Sequence, residues 1–187
     1  ARGYLCIAGG IQSPSVLGSR SALVSLPDAG LGRMLKQGDR LDFDESAAAK
    51  SEVSSSSTFN LNRLFHRESK VMRIVEGAHA ELCEMPFSVS DQSNRAGIRL
   101  TKSLFTNERM QRVVSEGTLP GYVQVPPSGE PIVLGVDGPT TGGYPVIACV
   151  IQADLSALAQ VAIRDRIGFH WIDLQEAIEI YAEQQLL

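Results

Sequence analysis

Long apolar runs, a cationic surplus and cysteine pairs are all missing from this 187-residue chain. No stretch approaches the roughly 18 consecutive apolar residues that a membrane-spanning helix needs, so the sequence predicts no membrane segment. Lysine and arginine number 17 against 21 acids, a net charge of -4, and the arginines are scattered. Phosphate-backbone binding needs a basic stripe or patch, so nucleic acid is excluded as an expected partner. The three cysteines, Cys6, Cys83 and Cys149, are an odd number at wide spacing, and Cys6 and Cys149 lie inside apolar strings. Reduced core thiols in a cytoplasmic protein are the expectation. His66, His79 and His170 share no metal-ligand spacing with one another or with the cysteines, so no metal site is expected. No strand-glycine-helix unit of the Rossmann or Walker kind and no G-x-S-x-G elbow occurs.

What is present is a series of short β-type strings. Residues 1 to about 45 read as short strands with turns ("GYLCIAGG", "LKQGDRLDF"), and the chain begins within such a string, as a piece of something longer would. The Ser/Ala-rich stretch over residues 46–60 cannot bury enough apolar surface to offset its ordering entropy, and reads as a linker. Beyond it, "VMRIVEG" is a strand ending at a glycine, "FSVS" runs into the polar turn "DQSNRAG", and "IRLTKSL" continues extended. "GYVQV", "PPSGE" and "PIVLGVD" form the clearest hairpin. "VIACVI" lacks polar alternation and reads as a strand buried on both faces. Asp154 is the expected N-cap of a short helix "LSALAQ". "RIGFHW" alternates with Ile167, Phe169 and Trp171 on one face and His170 on the polar one. A final helix starts at the acid cap Asp173, with Glu176 three residues on and Leu174, Ala177, Ile178 and Tyr181 at helical spacing. The fold class expected is mainly β with two short helices, a barrel or sandwich.

Two polar, glycine-bearing segments interrupt the strands. In "SDQSNRAGIRL", Arg95 and Arg99 are four apart around Gly97, and only tertiary folding could bring both to one ligand. Guanidinium is well suited to bidentate capture of carboxylate or phosphate, and equally a surface turn tolerates two solvated arginines. In "DGPTTGGYP", Thr140 and Thr141 offer hydroxyls, Gly142 and Gly143 offer unhindered backbone N–H groups, and Asp137 could act as a base or bind a cation. A wide turn whose aspartate and threonines satisfy their own backbone explains the same residues. "AGG" with "LGSRSA" after it is similar to another backbone-ligand loop, and a plain turn is the favoured reading.

Taken together, "YLCIAGGI…PSVLGSRSA", "LKQGDRL", "QSNRAGIRL", "GTLPGYVQVPPSGEPIVLGVDGPTTGGYPVIACVIQADLSALAQ" and "IGFHW" closely resemble one family. It is the family of the C-type subunit of 5-oxoprolinase, also called allophanate hydrolase subunit 2 or the biotin-dependent carboxyltransferase family, with the Kip-type antagonist partner and part of urea carboxylase among its members. The resemblance implies a cyclophilin-like β-barrel over residues 61–187, preceded in residues 1–45 by the end of a first β-rich domain whose N-terminal portion is absent. It departs from the family at Ser93-Asn94-Arg95, where "SDR" is usual, and the stretch between Gly77 and Phe87 is shorter than usual.

The activity implied is the ATP-dependent opening of 5-oxoproline to glutamate, with partners resembling the A-type and B-type subunits of 5-oxoprolinase and with ATP and magnesium acting in the complex. On that resemblance Arg95 and Arg99 bind carboxylate or phosphate. The Thr140 to Gly143 backbone cradles an anion beside Ser93 and Asn94, Asp137 positions a metal ion or a proton, and Tyr144 and Gln124 line the pocket. Two other readings stay open. One is a carboxyltransferase component that uses biotin carried on a separate domain, since the chain has no Met-Lys-Met biotinyl signature. The other is a non-catalytic antagonist of a kinase.

Overall fold

A computed structural model of the chain describes residues 5–22, 32–44, 70–75, 86–101 and 114–186. The chain divides into two compact units, Gly3–Thr58 and a larger one made of Ala1–Arg2 with Phe59–Leu187. The expected linker over residues 46–60, Cys83, His66 and His79 lie outside the described residues.

The larger unit is built on strands that each send alternate side chains to one core, the two-residue period of a pleated strand. β1 (Val71–Val75) buries Met72 and Ile74, β5 (Tyr122–Gln124) with the residue after it buries Val123 and Val125, and β9 (Arg166–Trp171) buries Ile167 and Phe169. Three further strands complete the sheet: β2 (Phe87–Ser88), β3 (Gly97–Arg99), and β6 (Ile132–Leu134). With β8 (Val146–Val150) they form one seven-stranded sheet in the order β2-β9-β1-β8-β5-β6-β3. β1 runs parallel to β9 and the other pairs are antiparallel. The two end strands then meet. Val89 bridges Leu100, Ser90 N–H donates to the Arg99 carbonyl at 2.8 Å and Thr101 N–H to the Ser88 carbonyl at 2.9 Å. The sheet therefore curls into a barrel around Ile98, Leu100, Val133 and the edge-on pair Phe87 and Phe169, whose ring centroids are 5.8 Å apart. Closure of this kind hides the strand edges that would otherwise pair with other chains.

Two helices complete the unit, α1 (Leu155–Ala159), whose Leu158 is buried in the core, and α2 (Leu174–Gln185). A two-stranded sheet of β4 (Glu116–Gly117) and β7 (Thr141–Gly142) lies apart from the barrel sheet. The hairpin read from "GYVQV" and "PIVLGVD" is β5–β6, and "VIACVI" is β8, flanked by β1 and β5, with Ile147, Ala148 and Val150 buried. Of "IRLTKSL", residues 98–100 are paired and 102–104 lie outside the described residues.

Three expectations are corrected. Asp154 does not cap α1: its backbone is already helical (φ -99°, ψ -7°) and its side chain makes no cap hydrogen bond. Its carboxylate is instead buried, accepting from the Arg73 backbone N–H at 2.7 Å, from Arg73 Nε at 3.1 Å and from Arg73 Nη2 at 2.6 Å. Asp173 does cap α2, accepting from Glu176 N–H at 2.8 Å. Of the apolar residues at helical spacing in α2, Ala177 is buried while Leu174, Ile178 and Tyr181 are exposed. The strands expected in residues 1–45 reduce, among the described residues, to the isolated bridges Ile11–Phe43 and Val16–Ser19, and Cys6 is an exposed free thiol rather than a core one. A strand needs a paired neighbour, and residues 5–7 have none there. Cys149 is partly buried, and its thiol donates to the Val150 carbonyl at 3.5 Å.

In the smaller unit the "LKQGDRL" turn is clamped by charge. Asp39 accepts from Lys36 N–H and is held in a fork by Arg33 at 2.7 and 2.8 Å. These bonds, chiefly the one from Arg33, hold the Asp39 carboxyl down to about 2 from its ordinary 3.8. A group whose pKa is depressed on folding contributes above its unfolded value and loses that contribution as pH falls through the folded one. A carboxyl-detected NMR titration should therefore find Asp39 ionised until pH is close to 2; a midpoint near 3.8 would mean the clamp is not formed. For the barrel, Arg73→Met leaves a buried carboxylate without its partner and should cost about 3–5 kcal/mol in urea denaturation. A loss below about 1 kcal/mol would show that Asp154 finds solvent.

Candidate functional site

The two polar segments are joined by backbone before any side chain takes part. After β6 the chain turns at Gly135, whose N–H donates to the Ala96 carbonyl at 2.9 Å, and Asp137 N–H follows onto the Arg95 carbonyl at 3.2 Å. A Cβ on Gly135 would sit 2.2 Å from the Arg95 carbonyl oxygen, so only glycine permits this approach. The same junction brings the Arg95 guanidinium to Asp137, with Nε 2.5 Å from Oδ2 and Nη2 3.1 Å from Oδ1. Both side chains are about half exposed, 57% and 50%, so this ion pair faces solvent at the rim of the loop.

Ser93 and Asn94 build the turn that aims Arg95. The Asn94 Oδ1 accepts from Ala96 N–H at 2.8 Å and Gly97 N–H at 3.4 Å, and the Ser93 hydroxyl accepts from Arg99 N–H at 2.9 Å. Ile98 and Leu100 point to the core, so Arg99 between them is exposed on the outer side of β3. Among the described residues no hydrogen bond or ion pair joins its guanidinium to the Arg95–Asp137 pair. The structure thus unites Arg95 with Asp137 rather than with Arg99.

The loop from Asp137 to Pro145 is laid over the outside of β5. Val123 and Val125 point into the core, which turns Gln124 to the opposite face. Gln124 is nonetheless only 3% exposed, because the loop covers it. A Cβ on Gly142 would lie 2.7 Å from Gln124 Nε2, and that nitrogen donates to the Tyr144 carbonyl at 3.4 Å. Gln124, Gly142 and Tyr144 are therefore neighbours. Thr118 holds the loop from its other side: its N–H donates to the Thr140 carbonyl at 3.0 Å and its hydroxyl to the Pro139 carbonyl. Beyond it β4 pairs β7 with Glu116 opposite Gly142 and Gly117 opposite Thr141. In an antiparallel ladder the bonding residues alternate, so the contact at Thr118–Thr140 recurs at Glu116–Gly142 and the Thr141 N–H between them turns away from β4. Gly143 follows outside the ladder. Of the four backbone positions proposed as a cradle from the sequence, Thr141 and Gly143 are thus the ones not turned toward β4.

Thr118 and Gly135 went unnoticed in the sequence. Neither has a periodic signal; their roles come from contacts across 21 and about 40 positions, visible only after folding. Among the described residues no group of three His, Cys, Asp or Glu side chains gathers as metal ligands. The loop that covers the Gln124 carboxamide thus carries two hydroxyls and backbone N–H groups turned away from β4, and the Arg95–Asp137 pair stands at its first residue; donors of this kind suit an anionic or carbonyl oxygen.

The sequence matches the profile of the family described as "Carboxyltransferase domain, subdomain A and B" over residues 1–171. It is 39% identical over 187 residues to the C-type subunit of 5-oxoprolinase from Escherichia coli, and 33% identical to that from Haemophilus influenzae, in each case over 98% of this chain. The chain spans 60% of the length of these two relatives. Urea amidolyase of Lachancea kluyveri is 27% identical over 98% of this chain and 12% of its own. Among solved structures, TTHA0988 aligns with a TM-score of 0.67 and 32% identity, covering 87% of this chain and 31% of that one. The K. lactis urea amidolyase aligns at 0.65 with 21% identity over 95% of this chain and 12% of that one, a likeness of fold.

The two glycine contacts predict unequal costs. At Gly135 an added methyl meets a backbone carbonyl, whereas at Gly142 it meets the end of a side chain that can shift. Gly142→Ala should cost about 1–3 kcal/mol and Gly135→Ala more than that in urea denaturation. Equal or negligible losses would contradict the close approach at Gly135.

Proposed function

The chain belongs to the carboxyltransferase-domain family, and on that premise we propose that it is part of the C-type subunit of an ATP-dependent 5-oxoprolinase. In this reading it helps open the 5-oxoproline lactam to glutamate, in the cytoplasm, within a hetero-oligomer that also holds A-type and B-type subunits. The observation that carries the reading is the 39% identity to a 5-oxoprolinase component across nearly the whole of this chain. The match takes in both the turn at Ser93–Arg95 and the loop at Asp137–Pro145, the two segments that the Gly135 junction joins.

The roles of this chain's residues follow from their surroundings. Developing charge on a lactam or phosphoryl oxygen is stabilised by donors already aimed at it. The Thr141 and Gly143 N–H groups serve as those donors and the Thr140 and Thr141 hydroxyls add to them. Arg95, held in orientation by Asp137, supplies the positive charge that attracts a carboxylate or phosphate. Ser93 and Asn94 set the turn, Gln124 and Tyr144 form the floor and edge beneath the loop, and Arg99 extends the positive surface along β3. ATP with magnesium, when bound in the complex, would activate the amide oxygen by phosphorylation. Asp137 is engaged by Arg95, and among the described residues no group of three His, Cys, Asp or Glu side chains gathers to hold the magnesium ion.

The likeness to urea amidolyase supports a second reading. A carboxyltransferase component would use the same donors for a carboxybiotin carbonyl and a urea-like oxygen, with biotin carried on a separate domain. The two readings separate on substrate, not on the loop.

Arg95 and Asp137 form an exposed pair, whose contribution to stability is on the order of 0–1 kcal/mol. Arg95→Ala should therefore leave melting temperature and assembly nearly unchanged while lowering ATP-dependent 5-oxoproline hydrolysis by the reconstituted complex at least about 100-fold. Hydrolysis near the wild-type rate would remove Arg95 from the anion site, and wild-type turnover of urea without 5-oxoproline would favour the second reading.

A further inference from the structure

Among the described residues three polar or charged ones are buried, Thr118, Gln124 and Asp154. Asp154 accepts three bonds from Arg73, and the Thr118 hydroxyl donates to the Pro139 carbonyl. Gln124 is only half engaged. Its Nε2 donates to the Tyr144 carbonyl at 3.4 Å, and among the described residues nothing donates to its Oε1. A carbonyl only accepts, so the atom that meets Tyr144 is the amide nitrogen and the oxygen is the one left over. Among the described residues the fully buried side-chain nitrogen or oxygen without a partner is Trp171 Nε1, so Gln124 Oε1, equally without one, still reaches solvent. A covered acceptor with no donor of its own calls for a partner from outside the chain.

The position of that oxygen narrows what the partner carries. A Cβ on Gly142 would lie 2.7 Å from Nε2 and 3.4 Å from Oε1, so the carboxamide sits directly beneath Gly142. Thr118 Cγ2 is 3.2 Å from the same point, and that side presents a methyl group and no donor. Gly142 is flanked along the loop by Thr141 and Gly143, whose N–H groups are the ones not turned toward β4. One residue's width of loop thus offers an acceptor between two donors. A lone carbonyl oxygen would use the donors and leave the acceptor bare. An amide that carries its N–H and its carbonyl on one edge uses both, its N and O being about 2.3 Å apart across the shared carbon. Ring closure imposes that edge: a lactam holds its amide cis, whereas an open-chain secondary amide is trans and puts the two groups on opposite edges.

We propose that Gln124 determines specificity for a cyclic amide, its Oε1 accepting the ring N–H of a lactam whose carbonyl oxygen is held by the Thr141 and Gly143 N–H groups. This rests on the 5-oxoprolinase reading and adds to it the group that selects a lactam. A ligand without that N–H leaves the covered acceptor unpaired and binds less tightly.

The experiment measures binding of 5-oxoproline and of its lactone counterpart, in which a ring oxygen replaces the N–H, to the full-length protein assembled with its A-type and B-type subunits, by calorimetry without ATP. The wild-type complex should bind the lactam at least about tenfold more tightly than the lactone. Gln124→Met keeps the bulk beneath Gly142 and removes the acceptor, and should bring the two affinities to within about twofold with circular dichroism unchanged. Where that variant does not fold, Gly142→Ala decides, since its added methyl displaces the carboxamide and should narrow the same difference. Equal binding of the two ligands by the wild type, or an undiminished preference for the lactam in a folded variant, would overturn the role of Gln124 and leave the 5-oxoprolinase reading intact. Failure of the wild-type complex to bind 5-oxoproline at all would overturn both.

Discussion

The geometry of the candidate site depends on one close contact, the approach of Gly135 to the carbonyl of Arg95. The approach leaves no room for a Cβ, and through it the end of β6 is fixed to the turn before β3 by two backbone hydrogen bonds. Backbone carries this junction, so the Arg95–Asp137 ion pair above it does not have to. An exposed pair contributes little to stability, and that frees its guanidinium to be chosen for what it binds. The loop inherits its position from the same place: Asp137 is its first residue, and from there it crosses Gln124 and pairs with β4.

The barrel supplies rigidity at low cost in side-chain chemistry. Alternate apolar residues fill one interior, and the end strands β2 and β3 are tied by the Val89–Leu100 bridge. The buried charge of Asp154 is the exception, and it is matched by three hydrogen bonds from Arg73. Such a pair is weak as a source of stability but costly to break, so it fixes where the segment after β8 lies against β1. The site and the buried pair are thus opposite uses of arginine. Arg73 is consumed by the fold, and Arg95 is presented by it.

Much of this was legible in the sequence, for identifiable reasons. The β5–β6 hairpin, β8, β9 and the Asp173 cap are local patterns, and local patterns survive folding. The loop at Asp137–Pro145 and the turn at Ser93–Arg95 stood out because glycines and polar residues interrupted apolar strings. What sequence could not give was pairing at long range. Asp154 looked like an N-cap because a cap motif is read from three or four neighbours, while its partner Arg73 lies 81 positions away. Whether Arg95 and Arg99 meet one ligand was left to tertiary folding by their spacing; the outward direction of β3 sends Arg99 along the barrel surface, and Arg95 meets Asp137 42 positions on. The spacing of Leu174, Ala177, Ile178 and Tyr181 marks the helix α2, but spacing alone does not distinguish a face that packs from a face left open.

The central claim is that Thr141 and Gly143 offer their N–H groups to an anionic or carbonyl oxygen while Gly142 is turned to β4. Amide-resolved NMR of the labelled protein, assembled with its partners and titrated with 5-oxoproline, tests it most directly. The account predicts saturable shifts at the Thr141 and Gly143 amides, with Gly142 the least affected of the three. Saturable shifts confined to residues away from this loop, with Thr141 and Gly143 unmoved, would contradict it.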